Sequence, residues 1–118
     1  MPENLTYIGV YAFNNCTNLA LTELPKNLIN IESNAFNNCT NLALTELPEN
    51  LTNIEYGAFN NCTNLKILTF KGTPQSIKFS AFSGCENLTT INVPWSEGEV
   101  SGAPWGATNA TINYNYIN

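Results

Sequence analysis

The side chains able to do chemistry in this chain are nine glutamates, four lysines and four cysteines; histidine, aspartate and arginine are absent. Without His or Asp, no ordinary Ser or Cys relay can be assembled, because a weak nucleophile needs a neighbouring base. Two carboxylates, Glu23 and Glu46, occupy the same position in successive copies of a repeated segment. On adjacent strands they would stand roughly 5 Å apart, near the separation of a retaining glycosidase pair. A flat sheet, however, has no cleft to desolvate an acid, and a repeated Glu follows from duplication alone. Glu32 and Glu55 repeat in the same way. No catalytic residue is assigned, and the chain is read as a non-enzyme.

Cys16, Cys39, Cys62 and Cys85 recur at the same interval. No C-x-x-C pair suggests zinc, so neither metal nor cofactor is expected. Stacked parallel coils would point these side chains the same way, which predicts a ladder of small buried thiols rather than disulfides. The redox compartment stays open.

The elements that position these groups are repeats. Ala12 to Pro25 recurs unchanged as Ala35 to Pro48, Ala58 to Leu65 repeats its opening, and Ala81 to Leu88 keeps the skeleton. A fixed period of this length means a solenoid, because each unit buries its apolar face only against its neighbours. Counted from Phe13, Phe36, Phe59 and Phe82, the apolar columns are Ile8/Ile31/Ile54/Ile77, Leu5/Leu28/Leu51 with Pro74, Leu19/Leu42/Leu65/Leu88 and Leu24/Leu47/Phe70/Val93. Leu65–Phe70 and Leu88–Val93 alternate as strands, and Asn27–Ile31 and Asn50–Ile54 suggest a second short strand per coil. Ala-Phe-x-x-Cys spaces its apolar residues for a single helical turn. Copies one and two differ only at Lys26/Glu49, Ile29/Thr52, Ser33/Tyr56 and Asn34/Gly57, positions expected at the surface or in turns.

After Pro94 the period fails. Residues 95–106 read as a Gly/Pro/Ser-rich loop, and Thr111–Tyr116 alternates as a strand. The expectation is residues 1–94 as a solenoid of about four coils, and 95–118 as a loop and capping strand with Trp105 as part of the lid. Met1-Pro2-Glu3-Asn4 does not read as a basic, then apolar, signal peptide, and Met1 falls partway through a repeat, so the chain is expected to be a fragment of a longer one, with any targeting signal outside it.

These motifs together resemble the BspA-like leucine-rich repeats of bacterial surface proteins. The resemblance spans Leu5 to Pro94, and Ala103-Pro104-Trp105-Gly106-Ala107 looks like endings seen after such repeats. Lys71 in place of the strand-ending Pro and Pro74 in a Leu column are departures. The resemblance implies an α/β right-handed solenoid, an extracellular or cell-surface location, and protein binding or adhesion, with no shared catalytic residues.

A net charge of −5 argues against nucleic acid or anionic lipid as partner. No apolar run reaches the length that a membrane-spanning segment needs. With Leu68/Phe70-type positions inward, two stripes face out: Leu21, Leu44, Ile67, Thr90 and Glu23, Glu46, Thr69, Asn92. An apolar stripe beside a polar one is the expected look of a binding face for a protein partner. The alternative register buries Leu21 and Leu44 in place of Thr22 and Thr45. Carbohydrate recognition through Trp95, Trp105 and the tyrosines, or a spacer role, are the competing functions. Asn-x-Ser/Thr triplets such as those at Asn15, Asn38 and Asn61 read as turn chemistry, with the amides serving backbone groups between coils.

Overall fold

The computed structural model describes residues 1–117. Among these residues, eight short strands form two parallel four-stranded sheets. The first sheet contains β1 (Tyr7–Ile8), β2 (Asn30–Ile31), β4 (Asn53–Ile54) and β6 (Ser76–Ile77). The second contains β3 (Glu46–Leu47), β5 (Ile67–Phe70), β7 (Thr90–Asn92) and β8 (Thr111–Asn113). Strands pair one coil apart, Ile8 with Ile31, Ile31 with Ile54 and Leu47 with Phe70, giving a solenoid of about five turns.

The apolar columns lie in one cluster between the sheets and the turns. Ile31, Ile54, Leu42, Leu65, Leu88, Leu47, Val93, Phe36, Phe59 and Phe82 are fully buried. Phe13, Phe36, Phe59 and Phe82 stack face over face, with centroids 5.3, 5.4 and 5.3 Å apart and planes within 6°. Aromatic pairs left to themselves prefer offset or edge-on contact. Here the coil spacing dictates the arrangement, since each ring sits on its own equivalent.

Among the described residues there is no helix, which corrects the α/β class and the single helical turn expected of Ala-Phe-x-x-Cys. The segment is a turn whose amides alternate in their use. Ala35, Asn37 and Cys39 donate backwards within the coil, to Glu32, Asn34 and Phe36, while Asn34, Phe36 and Asn38 donate to Tyr56, Ala58 and Asn60 of the next coil. A helix would hold all six bonds within one coil. Asn34 and Asn38 instead adopt φ of 56° and 60°, the left-handed region that asparagine tolerates better than most residues. Gly57 and Gly84 take those positions in later coils, each lying where a Cβ would run into the Asn Oδ1 one coil earlier. Gly57 is buried, so one of the four differing positions is a turn residue beneath Asn34 rather than a surface residue.

The asparagines serve backbone groups between coils, as expected, at Asn87, which donates to Thr63 O at 2.7 Å, and at Asn109, which donates to Glu86 O at 3.1 Å, but elsewhere they pair with one another. Asn61 Nδ2 donates to Asn38 Oδ1 and Asn38 Nδ2 to Asn15 Oδ1, at 3.0 and 2.9 Å. Asn53 does the same to Asn30, and Asn37 to Asn14. All four cysteines are free thiols. Cys39, Cys62 and Cys85 are buried, and each Sγ donates to the Phe carbonyl of the preceding coil at 3.0–3.1 Å. Burial pushes the Cys39 and Cys62 thiols above the ordinary value, and carries Cys85 up to about 12.

At the C-terminal end, β8 pairs in parallel with β7, but Thr90 meets Thr111, a register slightly shorter than the full repeat. Trp105 stands one full repeat after Phe82 and is fully buried, and its carbonyl accepts the Phe82 N–H at 2.9 Å. Trp95, 3% exposed, packs edge-on to Phe70 and Trp105 at 5.2 and 6.1 Å.

Two outcomes follow from this packing. Phe36→Ala is expected to destabilise by about 3–5 kcal/mol through the cavity it leaves, whereas exposed Lys26→Glu should change a denaturant midpoint little. For the thiols, a folded-state pKa raised above the unfolded value means that stability is fully present below about pH 9. It is then lost as pH climbs toward the folded value, by up to ~1.4 kcal/mol per pH unit for each buried thiol. Denaturant titrations from about pH 7 to 10.5 should therefore show falling stability above pH 9, and Cys85→Ala should make the fall shallower.

Candidate functional site

The outward side of the second sheet is where the sequence places its binding residues, and the structure separates them. Ile67 is 55% exposed, whereas the other apolar side chains of β5, Leu68 and Phe70, are buried. Leu44, expected beside it, is 2% exposed and belongs to the core. Leu21 is half-buried and packed against the same cluster. An exposed Leu21–Leu44–Ile67 row therefore does not exist.

The reason lies in the order of residue types. Copy three reads Ile67-Leu68-Thr69-Phe70, so a regular strand buries Leu68 and Phe70. Copy two reads Leu44-Thr45-Glu46-Leu47, and the same register would bury Thr45 and expose Leu44. Burying a leucine side chain is worth about 1.5–3 kcal/mol, and hiding a hydroxyl without a partner costs about 1–3 kcal/mol. The backbone yields instead: only Glu46–Leu47 remain a strand, and Thr45 is exposed. Thr45 N–H still reaches Thr22 O at 3.2 Å, and Thr69 N–H reaches Thr45 O at 3.0 Å. Parallel pairing survives while the side chains change face.

The polar stripe is more continuous. Asn92 is 6% exposed; its Nδ2 donates to Thr69 Oγ1 at 3.1 Å, and its Oδ1 accepts from Asn113 Nδ2 at 2.8 Å. Thr69 and Thr90 are half-buried. Glu46 is half-buried beside Lys71 Nζ, 3.9 Å from its Oε2, and Glu23 is exposed. Such a solvent-facing pair contributes little stability, but it fixes the sign of the surface at that edge.

Three of the expected residues, Leu21, Glu23 and Glu46, line one open groove of about 630 Å³, together with Leu24, Pro48 and Lys71. Ile67 and Leu44 line a shallower neighbour with Thr45, Asn64 and Lys66. Sequence reasoning passed over Lys71 and Asn113. Lys71 carried a signal, as the residue standing where other copies have proline. It passed over a second exposed cluster as well, beside the first sheet. There Tyr56 and Phe79, 48% and 69% exposed, meet edge-on at 5.5 Å, with Lys78 Nζ 5.6 Å from the Tyr56 ring centroid. The Ser33/Tyr56 difference between near-identical copies was the signal for it.

Among the described residues, no three acidic or thiol side chains converge as a metal site requires, and no helix is long and apolar enough to cross a membrane.

A family model described as a BspA type leucine rich repeat region matches residues 1–102 in six copies. The crystal structure of a leucine-rich repeat protein from T. pallidum is similar over 98% of this chain, at 30% identity and a TM-score of 0.69. The match covers 54% of that protein, so the chain spans about half its length. A leucine-rich repeat protein from Bacteroides ovatus ATCC 8483 matches 78% of this chain and 30% of its own at 26% identity, with a TM-score of 0.49. No curated protein matches the chain at a significant level.

The two faces of the register make opposite predictions for one substitution. Leu44→Glu places a charge in a sealed core and is expected to abolish cooperative unfolding or lower the melting temperature sharply. Ile67→Glu, at the equivalent repeat position, should stay within about 0.5 kcal/mol of the parent. Equal melting temperatures for the two variants would show Leu44 to be outside the core.

Proposed function

Because the chain belongs to the BspA-type leucine-rich-repeat family, we propose that it is a non-catalytic protein-interaction and adhesion module of a bacterial surface or secreted protein. Leucine-rich-repeat folds are in general protein-interaction scaffolds, and the BspA-type family is associated with bacterial surface proteins. Function must still be argued from the site. The observation that carries the reading is Ile67: a β-branched apolar side chain, 55% exposed, at the start of β5, where it pairs in register with Thr90 of β7. Anchors of protein interfaces are apolar groups ringed by polar ones that exclude water. Ile67 has Lys66 and Thr45 beside it, with Thr69, Thr90 and the Glu46–Lys71 pair on the same sheet. Glu23 and Leu21 extend the footprint along the groove that they line with Glu46, whereas Asn92, bonded to Thr69 Oγ1, and Leu44, in the core, are buried and offer little contact surface.

Carbohydrate recognition through Trp95, Trp105 and the tyrosines is the weaker reading, because it rests on exposed tyrosines such as Tyr116 alone. With exposures of 3% and 0%, neither indole offers a face on which a sugar could stack. A carboxylate pair acting as a glycosidase is weaker still, because Glu46 lies against Lys71 on an open surface.

The footprint is tested by binding to an array of host extracellular proteins, with a glycan array alongside. Ile67→Glu is expected to weaken capture of a protein ligand at least about thirtyfold, the loss of a ~2 kcal/mol anchor. Phe79→Ser, beside the other sheet, should leave it unchanged. Loss with Phe79→Ser and retention with Ile67→Glu would move the site to the Tyr56–Phe79 cluster, and capture of glycans alone would overturn the protein-binding reading.

A further inference from the structure

Two rows of side chains run beside the first sheet, one residue per coil. The amides of Glu32, Glu55 and Lys78 donate to Ile8 O, Ile31 O and Ile54 O, each at 3.0 Å, which sets those three residues in one row. The turn that follows gives the second row, Val10, Ser33, Tyr56 and Phe79. Its register is held by Tyr11 N–H on Ser33 O and Asn34 N–H on Tyr56 O, at 3.1 and 3.0 Å. Val10, Tyr56 and Phe79 are 54%, 48% and 69% exposed, whereas Ser33 is half-buried. The small serine leaves a notch between Val10 and Tyr56, whose positions stand two coils apart, roughly 10 Å.

Charge and ring chemistry meet at this notch. Lys78 follows Glu55 in its row, yet among the described residues the only ion pair is that of Lys71 with Glu46. The Lys78 ammonium lies instead 5.6 Å from the Tyr56 ring centroid, and Phe79 meets the same ring edge-on at 5.5 Å. Both groups come from the coil after Tyr56. On the coil before it stands Ser33, too short to cover an aromatic face. Glu32 and Glu55, both half-buried, are therefore neighbours in one row with no lysine paired to either. Like charges so placed repel, and a cation set between them relieves the repulsion. The notch thus combines a ring that already draws one ammonium, two uncompensated carboxylates and an apolar wall.

We propose that this notch takes the side chain of an arginine from a protein partner, a contact separate from the Ile67 footprint though resting on the same protein-interaction reading. A guanidinium is planar, so it stacks on Tyr56 and packs against Val10 while its N–H groups reach the carboxylates of Glu32 and Glu55. Two van der Waals contacts of about 3.5–4 Å, one on each side of that plane, fit within the two-coil span. A lysine ammonium would meet the carboxylates but present no plane to the ring. An anionic group is repelled by the same carboxylates, and a neutral apolar segment would desolvate them without a partner. The chain has no arginine of its own to fill the notch.

The test titrates the full chain with N-acetyl-Gly-Arg-Gly amide and follows its backbone amide NMR signals. Saturable shifts are expected at Glu32, Ser33, Glu55 and Tyr56. The citrulline peptide, matched in shape but neutral, should bind at least about tenfold more weakly, the loss of a charge-assisted contact. The lysine peptide should also bind more weakly than the arginine peptide. Glu32→Gln combined with Glu55→Gln should weaken arginine binding at least about tenfold, and Tyr56→Ser at least about threefold. Tyr56→Ser copies the side chain that the preceding coil carries at Ser33, so its melting temperature should hold. Ile67→Glu should leave the titration unchanged. Absence of saturable shifts, equal binding of the citrulline or lysine peptide, or binding that survives the double carboxylate substitution overturns the proposal. Shifts centred on Glu23 and Glu46 overturn it too, by moving the cation to the other acidic pair. Peptide binding at the notch with no capture on the protein array upholds the notch and fails the footprint alone. Capture that depends on Ile67, without peptide binding at the notch, fails the notch alone.

Discussion

Each side chain in this protein stands on its own equivalent one coil away, and that constraint governs the rest. A column of identical residues survives only if the residue is complementary to itself. Phenylalanine meets the requirement by stacking flat at 5.3–5.4 Å. Asparagine meets it because its amide carries both a donor and an acceptor, so Asn15, Asn38 and Asn61 form a chain of side-chain hydrogen bonds. Cysteine meets it by donating out of its column, to the Phe carbonyl behind. Charged side chains fail the requirement, and they are few and confined to short, solvated columns. Glu23 and Glu46 give way to Thr69, and Glu32 and Glu55 to Lys78.

The same constraint explains where regularity ends. A ladder must stop somewhere, and the later coils replace ladder residues by ones that ask nothing of the next coil. Gly84 stands after Asn61 and Ser76 after Asn53. The Phe column closes on Trp105, whose larger ring system and indole N–H, bonded to Ser101 O at 2.9 Å, fill and seal the end. In the first coil Leu5, Phe13, Cys16 and Leu19 are half-buried, while Ile8 and Leu24 are buried.

Function is left to the outward positions, which no stacking rule dictates. There the repeats differ most, and exposed apolar residues such as Ile67, Tyr56 and Phe79 lie there. Ile67 and the Tyr56–Phe79 pair sit by different sheets, so a partner that grips one leaves the other free.

The sequence alone determined the period, the core columns, the buried thiols and the two parallel strands per coil, because each depends only on a residue meeting its own copy. Phe36 over Phe13 and Cys62 after Cys39 are legible as positions one repeat apart. Three features were decided only in the tertiary structure. Ala-Phe-x-x-Cys has helical spacing, yet the left-handed Asn34 and Asn38 send alternate amides to the next coil, an option invisible to any local pattern. Asn38, Asn53 and Asn61 bond the asparagine one coil earlier, which requires the coil spacing rather than composition. Leu44 and Ile67 occupy the same repeat position and face opposite ways, because Leu-Thr-Glu-Leu sets its apolar pair wider apart than Ile-Leu-Thr-Phe sets Leu68 and Phe70. Periodicity assigns one face to one position; the balance between burying a leucine and hiding a threonine hydroxyl was struck coil by coil, and only the packed solenoid records it.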